Sequence, residues 1–349
     1  MVFVVFSSLV TFHRVDNFTN TNTPTLHTRR RYLQGKKKLT KLINNMKAYF
    51  VILINLLSIV NSFGQEIILK GRVIDQKTKE PIVYSIIEIK ALKTGTYTDS
   101  NGGYSITIKN LNDTVEFYSL GYEKQKFKIN DLNILNDKTI ELKPRYINLK
   151  EVVVVPHKEK IIRLGITSKK PWQLQIANTF GGQYGHYISN KYKKEGYVKA
   201  VSFYIAKVGF QNAPFRIRIY GKDQLNDCPG LDLLNENVII SNTKGEGWFT
   251  VDISKYDVNF PTDGMYVMME WVYSGDQFYY TYEHEIKTND GKSTKKTYHV
   301  YGQSLGNVMK QPDGGYWCKG LGDKWNRMNA YYKGYVNVMI NADIAFQTK

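Results

Sequence analysis

The residues that carry most covalent and metal chemistry are scarce here. In 349 residues there are two cysteines, Cys228 and Cys318, and six histidines, two of them before residue 28. Two thiols form no C-x-x-C and cannot supply a four-ligand zinc site. No H-E-x-x-H occurs, and His284, in Tyr282-Glu283-His284-Glu285, is followed three residues later by Lys287. A zinc peptidase therefore has no visible ligand set. There is no phosphate loop. The run Gly181-Gly182-Gln183-Tyr184-Gly185 lacks the lysine and following helix that phosphate binding needs. These absences leave no catalytic residue, metal ligand or cofactor to name. Leu-, Ala- and Glu-rich heptads are missing too, which removes the coiled-coil and helical-bundle classes.

What is abundant is aromatic: 13% of the chain, with 26 Tyr. Rings suit the pleated, half-buried surface of a strand. The net charge of +17 resembles a nucleic-acid signature, but residues 1–64 hold nine of the 48 Lys and Arg against the single acid Asp16. Without them the net charge is +9, spread among Glu and Asp rather than gathered into a run. This pattern predicts a solvated basic surface with weak attraction to anionic glycan or lipid, and no nucleic-acid partner.

Acidic residues are absent around Met46, where a different pattern begins. Lys47 is a short positive region, Ala48 to Val60 is largely apolar, and Ser62 and Gly64 are small residues before a cut at Gln65. This is the layout of a signal peptide, and its core is shorter than the ~20 residues of a spanning helix. It predicts export, with no transmembrane span after cleavage. Residues 1–45, polar and basic, read as upstream sequence ahead of a true start at Met46, or else as a cytosolic tail on a signal anchor. An oxidising compartment leaves two outcomes for Cys228 and Cys318, a disulfide or two buried thiols.

From residue 65 to 145 short alternating runs succeed one another at sandwich spacing. Gly71-Arg72-Val73-Ile74-Asp75 is followed by Glu80-Pro81-Ile82, by Thr98-Asp99 with Gly102 and Tyr104, and by Tyr118-Ser119-Leu120-Gly121-Tyr122. In order and spacing these pieces resemble the carboxypeptidase regulatory-like domain, a transthyretin-like β-sandwich of Gram-negative envelope proteins. The resemblance implies an immunoglobulin/transthyretin-like fold and an accessory rather than catalytic role. Asp99-x-Asn101-Gly102 also opens a calcium-loop pattern, but the position needing a bidentate Glu is Asn110, so a tight turn is expected.

Residues 146–172 read as a linker. Within it Leu149-Lys150-Glu151-Val152-Val153-Val154-Val155 resembles the energy-coupling box that follows this domain in TonB-dependent receptors. The 193 residues after Pro156 cannot hold a plug and barrel. The tract is then either the last strand of the first domain or a strand-addition site.

Residues 173–349 show eight or so further period-2 runs, predicting a second, jelly-roll-like sandwich. In Gly264 to Tyr273, the alternation puts Met265, Val267, Met269 and Trp271 on one side and Tyr266 and Glu270 on the other. Tyr266, Glu270 and Tyr279 are the expected ligand-binding surface, for a glycan or an envelope protein. The reading is thus an all-β, two-sandwich, non-catalytic envelope protein of unspecified oligomeric state. Two alternatives are a carbohydrate-active hydrolase using Glu270 with Asp276 or Glu283, and an accessory to TonB-coupled uptake acting through 149–155.

Overall fold

The computed structural model describes residues 35, 37–38, 40–47, 49, 67–132, 138–145, 159–287, 291–309, 315–328 and 336–348. The chain divides into two units, residues 1–65 and 66–349. In the first, every described residue is helical. Apart from Tyr49, the expected signal-peptide core and the 149–155 tract lie outside the described residues. Among the described residues no helix is long and apolar enough to cross a membrane.

The second unit is all-β, as expected. Its first seven strands are β1 Ile67–Asp75, β2 Ile86–Ile89, β3 Thr94–Tyr97, β4 Gly103–Ile108, β5 Thr114–Tyr118, β6 Gln125–Lys128 and β7 Lys138–Leu142. They form a sheet β4-β1-β7 facing a sheet β3-β2-β5-β6, with β1 and β7 parallel. Leu69, Val73, Ile87, Phe117, Ile140 and Leu142 fill the space between.

The sixteen further strands among the described residues build a larger sandwich: β8 Glu159–Gly165, β9 Gln173–Ala177, β10 Gln183–Ile188, β11 Gly196–Gly209, β12 Phe215–Lys222, β13 Pro229–Asp232, β14 Ile239–Ile240, β15 Gly247–Asp252, β16 Asn259–Phe260, β17 Met265–Glu270, β18 Tyr279–Lys287, β19 Ser293–Met309, β20 Tyr316–Lys319, β21 Asn326–Met328, β22 Val336–Val338 and β23 Ile340–Gln347. One sheet runs β13-β12-β17-β10-β20-β21 with β14 beside β12. The other runs β18-β19-β11-β23-β8, with β9 and β22 beside β19 and β15 and β16 beside β11. Phe203, Phe215, Met265, Val267, Met269, Trp271 and Ile344 lie in the core between them.

Of the expected 146–172 linker, the described part, residues 159–172, opens with strand β8 rather than with irregular chain. β8 is an edge strand antiparallel to β23, with the Arg163 guanidinium donating to both Asp343 carboxylate oxygens at 2.7 Å. An edge strand needs an apolar residue only on its inward side, here Leu164 with Ile162, so its charged outward residues disguised it.

Candidate functional site

β2 shows where the two sandwiches meet. All four of its residues, Ile86-Ile87-Glu88-Ile89, are buried. Ile87 and Ile89 enter the first core, while Ile86 joins Tyr97 and Val272 in a second cluster with Tyr118, Phe180, Ile239 and Leu321. A strand buried on both faces loses the polar alternation of a half-exposed one. Its outer face is covered by the outer face of the seven-stranded sheet.

That outer face is organised by register. Arg216 lies opposite Glu270, Glu270 opposite Gln183, and Gln183 opposite Lys319, making one polar row across β12, β17, β10 and β20. Beyond the Arg218–Met268 pair on the same face lies an aromatic row, with Tyr220 opposite Tyr266 and Tyr266 opposite Tyr187. Arg216, Glu270 and Gln183 of the polar row are buried, the first two against residues of the first sandwich. Tyr97 donates from its hydroxyl to Glu270 Oε1 at 2.6 Å. Arg216 Nη1 lies 3.3 Å from Glu270 Oε1 and Arg218 Nη1 3.1 Å from Oε2. Arg216 also donates to the Tyr84 carbonyl of the first sandwich at 2.5 Å and to Asn237 Oδ1 at 2.7 Å. Arg218 closes the network on both oxygens of Asp232, at 2.8 and 2.9 Å. At the margins the Gly322 N–H donates to Glu88 Oε2 at 3.1 Å and Arg145 to Asn235 Oδ1 at 2.9 Å.

Burial alone would push the Glu270 carboxyl upward, but the Arg216 and Arg218 guanidiniums hold it below the usual glutamate range. Burial beside that carboxylate pushes the Tyr97 hydroxyl well up, so it serves as a donor. Lys319, half-buried with its ammonium 4.8 Å from the Trp325 ring, is pulled below the ordinary lysine value by burial and by Arg218. Chemically, this arrangement is a neutralised ion network that joins two domains.

The expected ligand surface is therefore corrected. Tyr266 and Glu270 do face outward from their sheet, but they are 2% and 0% exposed. Tyr266 is covered by Trp317 and Tyr187, whose ring centres lie 6.0 and 5.0 Å away, and Glu270 by Tyr97. Tyr279 belongs to the other sheet, half-buried on Tyr301 with ring centres 4.4 Å apart. The three do not converge. Period-2 alternation identified the face correctly, but it carries no information about what lies on top of it. Glu283, the suggested partner carboxylate, is exposed on the β18–β19 hairpin and paired with Lys295 at 3.1 Å. Of the residues bonded in this network, Glu270 is the one that strand alternation points to. A signal was present in Phe215-Arg216-Ile217-Arg218-Ile219, where two arginines share a face with Glu270 of the adjacent strand.

The disulfide outcome is likewise overturned, because both cysteines are free thiols. Cys318 packs into the core between the sheets, whereas Cys228 lies among Tyr220, Tyr266 and Trp317 on the outer face. The seven-stranded sheet separates them, and a disulfide requires Cα atoms ~4.4–6.8 Å apart. Burial raises both thiols. Alkylation under denaturing, non-reducing conditions followed by intact mass should add two labels; zero labels would restore the disulfide.

In the first sandwich, the motif residues hold the fold together. Asp75 accepts from the N–H groups of Lys77 and Thr78 at 2.6 and 2.9 Å and from the Tyr122 hydroxyl at 2.9 Å. The Thr98 hydroxyl donates to the Ile82 carbonyl and accepts from the Ser85 N–H. Asp99 Oδ1 accepts from the N–H groups of Asn101 and Gly103, both at 2.8 Å, so this carboxylate serves the turn. Gly102 has φ +72°, and a Cβ there would stand 2.5 Å from the Val73 carbonyl oxygen. Residues 69–154 match the family model of the CarboxypepD_reg-like domain. The sequence resemblance is thus borne out for the first sandwich. The second sandwich lies outside the match, which runs to Val154 and so takes in most of the 149–155 tract. None of the curated proteins compared matches the chain. Among solved structures, a chain of the infectious bursal disease virus Gx strain aligns at 9% identity with a TM-score of 0.19, covering 81% of this chain. This chain spans 65% of that viral chain, and a likeness at that score carries no structural argument. The CarboxypepD_reg-like domain is therefore docked on its neighbour through Tyr84, Ile86, Glu88 and Tyr97, none of which belongs to the motif residues quoted above.

Proposed function

We propose that this chain is an exported, non-catalytic binding or structural module of a Gram-negative envelope, in which the CarboxypepD_reg-like domain braces the second sandwich. The observation that carries the reading is the state of Glu270. The carboxylate best placed in sequence for chemistry is fully buried and bonded to Arg216, Arg218 and a tyrosine of the other domain. A general acid or nucleophile needs access to a substrate atom, and Glu270 has none. Export rests on the pattern of Lys47, Ala48 to Val60, Ser62 and Gly64. A glycan or an envelope protein is the ligand class that location and a net +9 surface favour.

Expression of the full chain in a Gram-negative host, fractionation and N-terminal sequencing test the export half. The mature chain should leave the cytosol and begin at or near Gln65. A cytosolic chain that retains residues 48–60 would overturn it. Incubating the mature chain with envelope glycans tests the other half. Hydrolysis that Glu270→Gln abolishes, with the variant still folded, would establish the enzyme reading instead.

A further inference from the structure

One margin of the domain junction holds more positive charge than its acids need. Glu88 and Glu116 lie directly opposite each other on β2 and β5, and both are buried. Carboxylates so placed repel. Lysines surround them: Lys90 and Lys124 approach Glu116 Oε2 at 2.8 and 3.2 Å, and Lys126 approaches Oε1 at 2.9 Å. Lys90 is also 3.7 Å from Glu88, and Lys124 stands 4.5 Å from the centre of the Tyr118 ring. Three ammoniums thus face two carboxylates.

The three lysines on Glu116 form a preorganised cluster. Each ammonium has three donors, and the pairing with Glu116 occupies one. Their side chains are 53%, 42% and 60% exposed, so the remaining donors reach solvent. Two of the nitrogens share one carboxylate oxygen and so lie within about 6 Å of each other, a gap that one phosphate can bridge with two of its oxygens. The anchor is stable: burial would raise the Glu116 carboxyl, but the lysines bring it down to about 2, so it stays ionised and keeps them gathered. Lysine is a point-charge ligand for phosphate.

We propose that Lys90, Lys124 and Lys126 form a binding site for the phosphate group of a phosphate ester, on the solvent side of Glu116. The site does not rest on export, since a cytosolic chain would bind a soluble ester equally well.

Two probes separate the sources of phosphate. One is glucose 1-phosphate, followed by calorimetry. The other is flotation with vesicles of equimolar phosphatidylglycerol and phosphatidylcholine, with pure phosphatidylcholine as blank. The full chain should bind at least one probe, more weakly as salt rises. Binding of the ester points to a soluble ligand, and binding of vesicles alone points to a lipid headgroup. The variant Lys90→Gln/Glu116→Gln/Lys124→Gln/Lys126→Gln, which leaves no stranded carboxylate at position 116, should weaken binding at least tenfold. The control Lys191→Gln/Lys194→Gln changes net charge equally and should bind as the parent does. Should the quadruple variant not fold, Lys126→Gln alone is expected to weaken binding at least threefold. Binding of neither probe, or equal loss in the control, would show an ordinary surface ion cluster and overturn the site.

Discussion

Glu270→Ala is expected to lower the free energy of unfolding by about 3–5 kcal/mol, the usual cost of removing one partner from a buried ion pair. The cost arises from what remains. Arg218 keeps Asp232, with three contacts of 2.8 to 3.0 Å. Arg216 keeps Asn237, the Tyr84 carbonyl and the face of the Tyr97 ring, all uncharged, so its guanidinium is left buried without a counter-ion. Tyr97, fully buried, also loses its acceptor. The effect should be non-additive: Arg216→Met/Glu270→Met removes both charges and should cost less than Glu270→Ala alone. Urea denaturation of the three chains decides the matter. A Glu270→Ala penalty below about 1 kcal/mol, or a double variant worse than the single, would mean that the network does not hold the junction. Because the folded-state carboxyl lies below its ordinary value, the contribution of Glu270 is present at neutral pH. It should fade as pH falls through the glutamate range and below.

Trp271→Ala should cost a comparable amount, about 3–5 kcal/mol, for a different reason. The side chain is fully buried, and its indole N–H donates to the Gln303 carbonyl at 2.6 Å. Tyr184 meets it edge-on with ring centres 5.2 Å apart. Gly302, with φ +68°, lies flat against it, and a Cβ there would come within 2.7 Å of Trp271 Cδ1. Alanine would leave a cavity walled by two strands that cannot collapse without breaking the ladder, and it would orphan the Gln303 carbonyl. Trp271→Phe, which keeps a ring but not the donor, should fall between parent and alanine in urea midpoint. If Trp271→Ala shifted the midpoint no more than Phe, the hydrogen bond and not the packing would be the main contribution.

These two neighbours in sequence show how much was readable in advance. Met265, Val267, Met269 and Trp271 were assigned to the core by alternation alone, because a side chain pointing between two sheets has to be apolar. Tyr266 and Glu270 were assigned to the other face by the same rule, and that was right as well. The error lay in equating the other face with solvent. A pattern of two residues per repeat distinguishes faces but not their coverings, and here each outward residue has its own cover. Trp317 and Tyr187 close over Tyr266, and the CarboxypepD_reg-like domain closes over Glu270.

By itself the sequence determined the all-β class, the first sandwich and its family, and the inner face of β17. All of these depend on local turn chemistry and alternation, which act over a few residues: Asp99 and Gly102 make their turn within five positions, and Asp75 binds its own next turn. Tertiary structure alone decided that Tyr97 and Glu270, 173 residues apart, are joined by a hydrogen bond. It also decided that β2 is buried on both faces, and that Cys228 and Cys318 lie on opposite sides of one sheet. The physical reason is common to all three. Charge pairing, double-sided burial and thiol separation are set by which strands become neighbours, and strand order is a long-range outcome that no periodicity within a strand encodes.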